Sequence, residues 1–299
     1  MSDNDSGAPV WRQAIHPVPT VNRTPLPSSG RAGRNLPAAI TSALILVIVL
    51  AVALVFSRPV FIGMVVILAL IACWELAGAF ARDSITVTLA PLYLGTAAMI
   101  ILGSLYGAFW ILASLYFTFA VVVLWRMASP RLETKPLNDI VASSFIAIYV
   151  GFSASFVSLI SVSSEAIWPI VFFVVIVACN DLGGWVAGVL FGRHPMTPKL
   201  SPKKTWEGLA GSLIFCFAAA YIGTIVMDIP WWWMFVFGLA GTFFGTVGDL
   251  LESLIKRQVG LKDMSGILPG HGGLMDRLDS MLYAAPAFYF FYALAFGWF

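Results

Sequence analysis

Charged residues are scarce in this chain. Asp, Glu, Lys and Arg make up 11% of its 299 residues, whereas hydrophobic residues make up 60% and the mean hydropathy is +0.90. A water-soluble fold does not need so much apolar surface, so the composition excludes a soluble domain. Alternating segments of about 10 residues, which a transmembrane β-barrel requires, are also lacking. Many apolar runs instead reach about 20 residues, the length that spans a bilayer as a helix.

Other common functional patterns are missing too. Cys73, Cys179 and Cys216 lie in apolar runs without metal-ligand spacing, so we expect no disulfide. His271 has no second histidine nearby, which argues against a zinc site. The chain contains no GxSxG, Walker A or Rossmann fingerprint in a strand context. It also lacks an internal repeat and an inverted pair of broken helices, which disfavours a secondary transporter.

We therefore predict an all-α polytopic integral membrane protein with about nine transmembrane helices. Residues 1–36, rich in Pro, Ser, Gly and Arg, are predicted to be a disordered cytoplasmic tail. Residues 37–299 are predicted to form a single transmembrane catalytic domain. The predicted spans are 37–57, 59–81, 85–103, 106–126, 138–161, 166–190, 207–227, 230–250 and 280–298.

The basic residues predict the orientation. If the N-terminus is cytoplasmic and the C-terminus is outside, every Lys and Arg except Arg58 lies on the inner side. The two long loops, 191–206 and 251–279, then face the cytoplasm. We accordingly predict a multi-pass protein of the inner cell membrane with its active site facing the cytoplasm.

Several acids lie at the predicted inner edge of the spans. Asp181 and Asp249 are near the inner ends of spans six and eight, where a lone carboxylate is costly. Asp276 and Asp279 are three residues apart and would share one helix face. Mg²⁺ takes one or two carboxylates together with substrate phosphate, and Asp249 with Asp276 is the best pair. The alternative is that these acids only pair with neighbouring basic residues, namely Lys256, Arg257 and Arg277.

A glycine-rich stretch, PGHGGLMD, precedes the last span. Gly270, Gly272 and Gly273 surround His271, and glycine lets a backbone approach a phosphate closely or adopt a positive φ. His271 suits a ligand, a proton carrier or a hydrogen-bond donor to phosphate. The alternative is a plain turn into the last helix.

A second polar stretch, SPKKTWEG, occupies residues 201–208. Ser201, Lys204 and Thr205 can donate to phosphate oxygens at a helix N-terminus. The alternative is that Lys203 and Lys204 anchor the membrane edge and that Glu207 only caps the helix. Elsewhere, Glu75 is an intramembrane acid near Arg82 and the inner edge, and the sequence assigns it no role.

Together these motifs resemble the phosphatidate cytidylyltransferase family, also called CDP-diacylglycerol synthases. The C-terminal signature of that family is matched at Ser253, Lys256, Arg257, Lys262, Asp263, Pro269, His271, Gly272, Gly273, Asp276, Arg277 and Asp279. A second block is matched at Asp181 and residues 201–208. The first four or five spans carry no motif.

The resemblance implies that the chain transfers a cytidylyl group from CTP to phosphatidate, giving CDP-diacylglycerol and pyrophosphate, with Mg²⁺ and room for a second cation. The implied catalytic residues are Asp249, Asp276, Asp279, Lys204, Lys256, Arg257, Arg277 and His271, with the metal on Asp249 and Asp276. The implied substrate-binding residues are Asp181, Ser201, Lys203, Thr205, Glu207, Ser253, Lys262, Asp263, Gly272 and Gly273.

Two other functions stay open at this point. A CTP-dependent polyprenol or phytol kinase-like enzyme would use similar acids and lysines. An anion transporter would place polar groups at the bilayer midplane, whereas here they cluster at the inner edge. The expected partners are CTP, phosphatidate and the lipid bilayer, without nucleic acid, and a homodimer is an open alternative.

Overall fold

The protein is largely helical. A computed structural model describes residues 19–20, 45, 48–128, 136–163, 167–267 and 272–298. Residues 48–56 are helical. The helices after them are α1 (Arg58–Phe80), α2 (Leu89–Tyr106), α3 (Ala108–Ala128), α4 (Pro136–Ile146), α5 (Ser153–Ser163), α6 (Trp168–Phe191), α7 (Trp206–Val226), α8 (Trp233–Gln258) and α9 (Met275–Phe296). The shorter elements are a 3₁₀ turn (Ala81–Asp83), a π-helical turn (Ala147–Phe152) and the strands β1 (Pro195–Thr197) and β2 (Ser201–Thr205).

Seven helical stretches of the described chain are long and apolar enough to cross a membrane. They are Arg58–Asp83, Leu89–Tyr106, Ala108–Ala128, Pro136–Ser163, Trp168–Phe191, Trp206–Val226 and Trp233–Gln258. The predicted class, a polytopic membrane protein built from helices, is confirmed. The predicted count of about nine spans and the predicted sides of the two termini stay predictions. Part of the predicted first span, 37–57, lies outside the described residues.

Local chemistry explains where the helices begin and end. The Ser57 hydroxyl accepts a hydrogen bond from the Val60 amide at 3.4 Å, and Pro59 lies in the first turn of α1, where a missing N–H costs nothing. Gly107 follows α2 with a φ of +92°, a conformation that L side chains rarely adopt. The hydropathy pattern therefore indicates where long apolar helices lie, and these residues fix the turns at their ends.

Both predicted loops contain regular structure. Helix α8 continues to Gln258, well past the predicted end at residue 250, and α9 begins at Met275 rather than at 280. Hydropathy detected only the apolar parts of these helices, and their polar turns were assigned to loop 251–279. In the other loop, 191–206, β1 and β2 form an antiparallel hairpin in which Pro195 pairs with Thr205.

The described chain divides into two compact units. The first comprises Met1–Ser155 with Gln258–Asp276, and the second comprises Phe156–Arg257 with Arg277–Phe299. The segment 258–276 thus belongs with the N-terminal helices. Within the predicted tail the structure describes residues 19 and 20, and the Thr20 amide donates to the Gly78 carbonyl at 3.1 Å. The rest of that tail lies outside the described residues.

A buried ion pair lies in the first unit. Arg126 Nε is 2.9 Å from Asp139 Oδ2, and the two side chains are 6% and 1% exposed. The Thr86 amide donates to Asp139 Oδ1 at 2.8 Å. Because an unpaired charge at such a site would be strongly unfavourable, these contacts tie the end of α3 and the start of α4 to the chain before α2.

Small residues set the packing of the second unit. A Cβ on Gly183 would lie 2.6 Å from the Gly211 carbonyl oxygen, and one on Gly211 would lie 2.3 Å from the Ala187 Cβ. Helices α6 and α7 therefore approach at backbone distance, as small residues allow in membrane proteins. The Ser212 hydroxyl also donates to the Asn180 carbonyl at 2.6 Å, which fixes α7 against the polar part of α6.

We predict that Gly211→Ala lowers the stability of the protein by about 1–3 kcal/mol, because overpacking forces the helices apart. The matched control is Gly63→Ala in α1, since a Cβ there meets nothing within 4 Å. Thermal unfolding of both variants in detergent provides the measurement. Equal unfolding temperatures for the two variants would contradict the close packing of α6 and α7.

Candidate active site

Three carboxylates meet in the second unit. Asp249 and Glu252 lie on α8 and Asp279 lies on α9, and one oxygen of each lies within 4.8 Å of the others. Glu252 and Asp279 are 1% and 6% exposed, whereas Asp249 is partly exposed. Residues three apart share a helix face, which places the two acids of α8 side by side. Oxygen ligands at this spacing fit a hard divalent cation.

A glycine brings the two helices of this cluster together. A Cβ on Gly248 would lie 2.8 Å from the Asp279 carbonyl oxygen and 2.9 Å from the Ser280 Cα. A larger residue at this position would push α9 away from α8. Gly248 therefore permits the approach that puts the Asp279 carboxylate beside those of α8.

Two lysines contact this acidic cluster. Lys204 Nζ, from β2, is 2.6 Å from Asp249 Oδ2, and Lys256 Nζ is 2.5 Å from Glu252 Oε2. The Ser253 hydroxyl donates to Asp249 Oδ1 at 3.4 Å. The sequence left open whether the acids pair with basic residues. The structure shows such ion pairs for Asp249 and Glu252. Two lysine ammonium groups thus lie beside the three carboxyl groups.

Polar residues of α6 extend the site. Asn180 Nδ2 donates to Asp181 Oδ1 at 3.2 Å, and the Thr246 hydroxyl of α8 donates to Asn180 Oδ1 at 3.3 Å. Lys204 Nζ also donates to the Thr246 carbonyl at 3.4 Å. The predicted residues Asp181, Lys204 and Asp249 therefore belong to one hydrogen-bonded region.

The hairpin β1–β2 presents Lys204 at this region, and the hairpin is held by α7. The Glu207 carboxylate accepts hydrogen bonds from the Arg193 and His194 amides, each at 3.2 Å, and lies 2.6 Å from His194 Nδ1. The Thr205 hydroxyl caps α7 by accepting from the Gly208 amide at 3.1 Å. In this structure Thr205 caps the helix, whereas Glu207, to which the alternative gave the capping role, binds the backbone before β1.

The remaining predicted residues of the second unit lie around the hairpin and on α9. Arg257 Nε donates to the Leu200 carbonyl in the hairpin turn at 3.3 Å. Lys203 is exposed and Ser201 is half-buried on β2. Arg277 lies in the first turn of α9.

The other predicted residues belong to the first unit. Asp276 Oδ2 accepts from the Gly273 amide at 2.6 Å and from the Met264 amide at 3.0 Å. Gly272 has a φ of +83°, so the positive φ expected of this stretch is confirmed. Lys262 and Asp263 are exposed.

The remaining predictions for this site stay predictions. His271, Gly270 and Pro269 lie outside the described residues. The pairing of Asp249 with Asp276 stays a prediction, since the two residues fall in different units. Within the second unit, Asp249 clusters with Glu252 and Asp279.

Comparison with known proteins identifies the family. A profile of the cytidylyltransferase family matches residues 37–295. The chain belongs to this family. It is 35% identical over 303 residues to the phosphatidate cytidylyltransferase of Mycobacterium bovis, covering 96% of this chain and 97% of that protein. The phosphatidate cytidylyltransferase of Mycobacterium leprae is 34% identical over 302 residues, covering 95% and 96%. That of Bacillus subtilis is 33% identical over 179 residues, covering 59% and 66%.

Sequence reasoning missed several residues of this candidate site. Asn180 and Thr246 link α6 to α8, and Glu252 completes the acidic cluster. Asn180 is a polar residue inside an apolar span, which is itself a signal of function or of a specific contact. Glu252 is one turn from Asp249, so helical spacing would have found it once α8 was known to continue.

We predict that Glu207→Ala loosens the hairpin. The variant loses the hydrogen bonds from the Arg193 and His194 amides, so trypsin should cleave after Arg193 or Lys199 faster, by roughly a few fold, when cleavage reports local opening. Mass spectrometry of the fragments during limited proteolysis provides the measurement. Asp228→Asn, which changes a carboxylate in a turn at the other end of α7, is the control. Unchanged cleavage in Glu207→Ala would show that this carboxylate does not hold the hairpin.

Proposed function

We propose that this chain transfers a cytidylyl group from CTP to phosphatidate, forming CDP-diacylglycerol and releasing pyrophosphate. The supporting observation is the likeness to phosphatidate cytidylyltransferases along nearly the whole of both chains. The acidic cluster with its lysines supplies groups suited to phosphate chemistry. An apolar helical protein also suits a lipid substrate, which reaches the enzyme from the bilayer.

The carboxylates fit Mg²⁺, which prefers oxygen ligands and binds through one or two carboxylates together with substrate phosphates. Asp249 is common to the pair predicted from the sequence and to the cluster with Glu252 and Asp279. Asp276 stays the second predicted ligand. When bound, Mg²⁺ would neutralise phosphate charge and polarise the phosphorus under attack. A second cation is compatible with this many acids.

The side chains of the enzyme would position the reactants rather than react with them. The phosphate of phosphatidate attacks the α-phosphorus of CTP in line, its bond to that phosphorus forms, and pyrophosphate leaves with the electrons of the broken bond. This transfer needs no covalent intermediate with the protein, and it depends on alignment and charge neutralisation.

Basic residues would neutralise the phosphates. Lys204 and Lys256 already lie at the acidic cluster, so their ammonium groups can turn from a carboxylate to a phosphate oxygen within the reach of a lysine side chain. Arg257 and Arg277 would add charge and bidentate hydrogen bonds. The remaining members of the predicted polar shell are His271, Asp181, Ser201, Lys203, Ser253, Lys262, Asp263, Gly272 and Gly273.

The distribution of basic residues supports a cytoplasmic active site in the inner membrane. Lys204, Lys256 and Arg257 fall on the side that the orientation rule assigns to the cytoplasm, where CTP is available. A cluster at one edge of the spans, rather than at their middle, suits an enzyme that joins a soluble nucleotide to a membrane lipid.

We predict that the purified protein transfers label to phosphatidate from CTP labelled at the α-phosphate but not at the γ-phosphate. Cytidylyl transfer retains the α-phosphorus in the lipid, whereas a kinase transfers the γ-phosphorus. Chromatography of lipids formed in detergent with Mg²⁺, and with EDTA as the control, provides the measurement. Label from the γ-position in a polyprenol would support the kinase-like alternative, and CTP-independent anion flux into vesicles would support transport.

We predict that Asp249→Asn lowers cytidylyl transfer by about 100-fold or more and raises the Mg²⁺ concentration needed for half-maximal rate, since loss of one electrostatic group at the reacting centre typically costs this much. Asp276→Asn and Asp279→Asn are measured beside it. A larger loss in Asp276→Asn would favour the metal pair predicted from the sequence, and a larger loss in Asp279→Asn would favour the cluster in the second unit. Asp228→Asn is the matched control, because Asp228 has a φ of +50° that asparagine also tolerates. Near-normal activity and Mg²⁺ dependence in Asp249→Asn would overturn the metal assignment.

A further inference from the structure

Glu75 is a fully buried acid that belongs to none of the sequence motifs. It lies on α1 in the first unit, inside the membrane-spanning stretch Arg58–Asp83, and is 0% exposed. A carboxyl group at such a site is costly unless its oxygens are hydrogen-bonded. The partners of Glu75 therefore show what this residue contributes.

Those partners all come from the segment 258–276. Glu75 Oε1 accepts from the Leu274 amide at 2.9 Å and from the Ser265 hydroxyl, and Oε2 accepts from the Met275 amide at 2.6 Å. Leu274 directly precedes α9 and Met275 is its first residue, and backbone amides at a helix start have no partner within the helix. A carboxylate is also favoured there by the helix dipole. Glu75 thus binds the N-terminus of the last helix.

The same contact explains one glycine of the GlyGly pair. A Cβ on Gly273 would lie 3.0 Å from both oxygens of Glu75 and 3.0 Å from the Ser265 amide nitrogen. A side chain at this position would press against the carboxylate and the backbone that meet there. The close approach of Glu75 therefore explains why residue 273 is a glycine, and a bound phosphate is not needed to explain it.

A second residue of the same part of the chain holds the other end of the segment. Arg82, in the 3₁₀ turn after α1, donates from Nε to the Val259 carbonyl at 2.9 Å and from Nη1 to the Thr20 carbonyl at 2.6 Å. Glu75 and Arg82 are two helical turns apart along the chain, and together they contact both ends of 259–275. The C-terminal end of α1, with the turn that follows it, thus supports this segment.

Asp276 is fixed by the segment that Glu75 holds. Its Oδ2 accepts from the Gly273 and Met264 amides. Gly273 directly precedes Leu274, and Met264 directly precedes Ser265, so each amide that orients Asp276 is next to a residue bonded to Glu75. A shift of the backbone at Met264 or at Gly273 would therefore move the Asp276 carboxylate.

We propose that Glu75 is a positioning residue of the enzyme: it fixes the start of α9 and the segment before it, and so sets the orientation of Asp276 for cytidylyl transfer. This inference rests on the proposed function and on the predicted role of Asp276. Both carboxylate oxygens of Glu75 accept hydrogen bonds from this segment, which suits a support rather than a group that contacts substrate.

The test uses Glu75→Gln, in which an NH₂ group replaces one acceptor and faces a backbone N–H. Hydrogen–deuterium exchange of the full-length protein in detergent, followed by mass spectrometry, should show about tenfold faster exchange in peptides covering 264–276, since hydrogen bonds to a charged acceptor are lost. The variant should also lower kcat and raise the Mg²⁺ concentration for half-maximal rate, with a smaller change in the KM for CTP. Glu75→Asp, which keeps the charge, should restore part of both effects.

Ser143→Ala is the matched control. The Ser143 hydroxyl is buried in the same unit and accepts hydrogen bonds from the Thr88 amide and hydroxyl at 3.1 and 3.2 Å. Its loss should destabilise the region around Thr88 but leave both the exchange of 264–276 and the Mg²⁺ requirement unchanged. If Glu75→Gln does not fold, the same exchange and kinetic measurements are made on Glu75→Asp and Ser265→Ala.

The outcomes separate this inference from the proposed function. Unchanged exchange of 264–276 in the Glu75 variants, with an active wild type, overturns the inference alone. Faster exchange with an unchanged Mg²⁺ requirement and kcat also overturns it, because the segment would then be held without effect on catalysis. A wild type that transfers no cytidylyl group overturns the proposed function, and with it the catalytic part of the inference.

Discussion

A charged side chain inside an apolar helical protein is tolerated only where hydrogen bonds or opposite charges surround it, and both units are organised around this constraint. In the first unit the Glu75 carboxylate accepts hydrogen bonds from amides at the start of α9, and Asp139 forms an ion pair with the guanidinium of Arg126. In the second unit Lys204 and Lys256 lie on carboxylates of α8. The contacts of Glu75 and Lys204 join segments that are distant in the sequence, so these charged residues also determine how polar segments of the chain are held.

The two kinds of charged site differ in their partners. Glu75 accepts hydrogen bonds from the Leu274 and Met275 amides, and Asp139 accepts from Arg126 and from the Thr86 amide, contacts that suit a structural role. The carboxyl groups of Asp249, Glu252 and Asp279 instead lie close together, with Lys204 and Lys256 beside them. Ionisable groups of both signs gathered in one place make this cluster a candidate for a site that receives a cation and a polyanionic substrate.

Glycine has a matching role in the backbone. Gly211 lets α6 and α7 approach, Gly248 lets α9 approach α8, and Gly273 admits the carboxylate of Glu75. Each removes a side chain where a second backbone or a polar group must come close. In a chain with so much bulky apolar surface, these positions decide where polar groups can meet. The glycines of the signature stretch therefore serve structure as well as any approach of phosphate.

The sequence by itself determined the helical membrane class, most span positions and the resemblance to cytidylyltransferases, because apolar length and fixed polar spacings are local properties. It also identified Asp249 and Lys204 as functional candidates. Tertiary structure alone decided that α8 continues through Glu252 and Lys256, that Asn180 and Thr246 join the site, and that Glu207 holds a hairpin. It alone gave Glu75 a role. Contacts between residues as far apart as Glu75 and Met275 depend on how helices pack, and no local pattern encodes that packing.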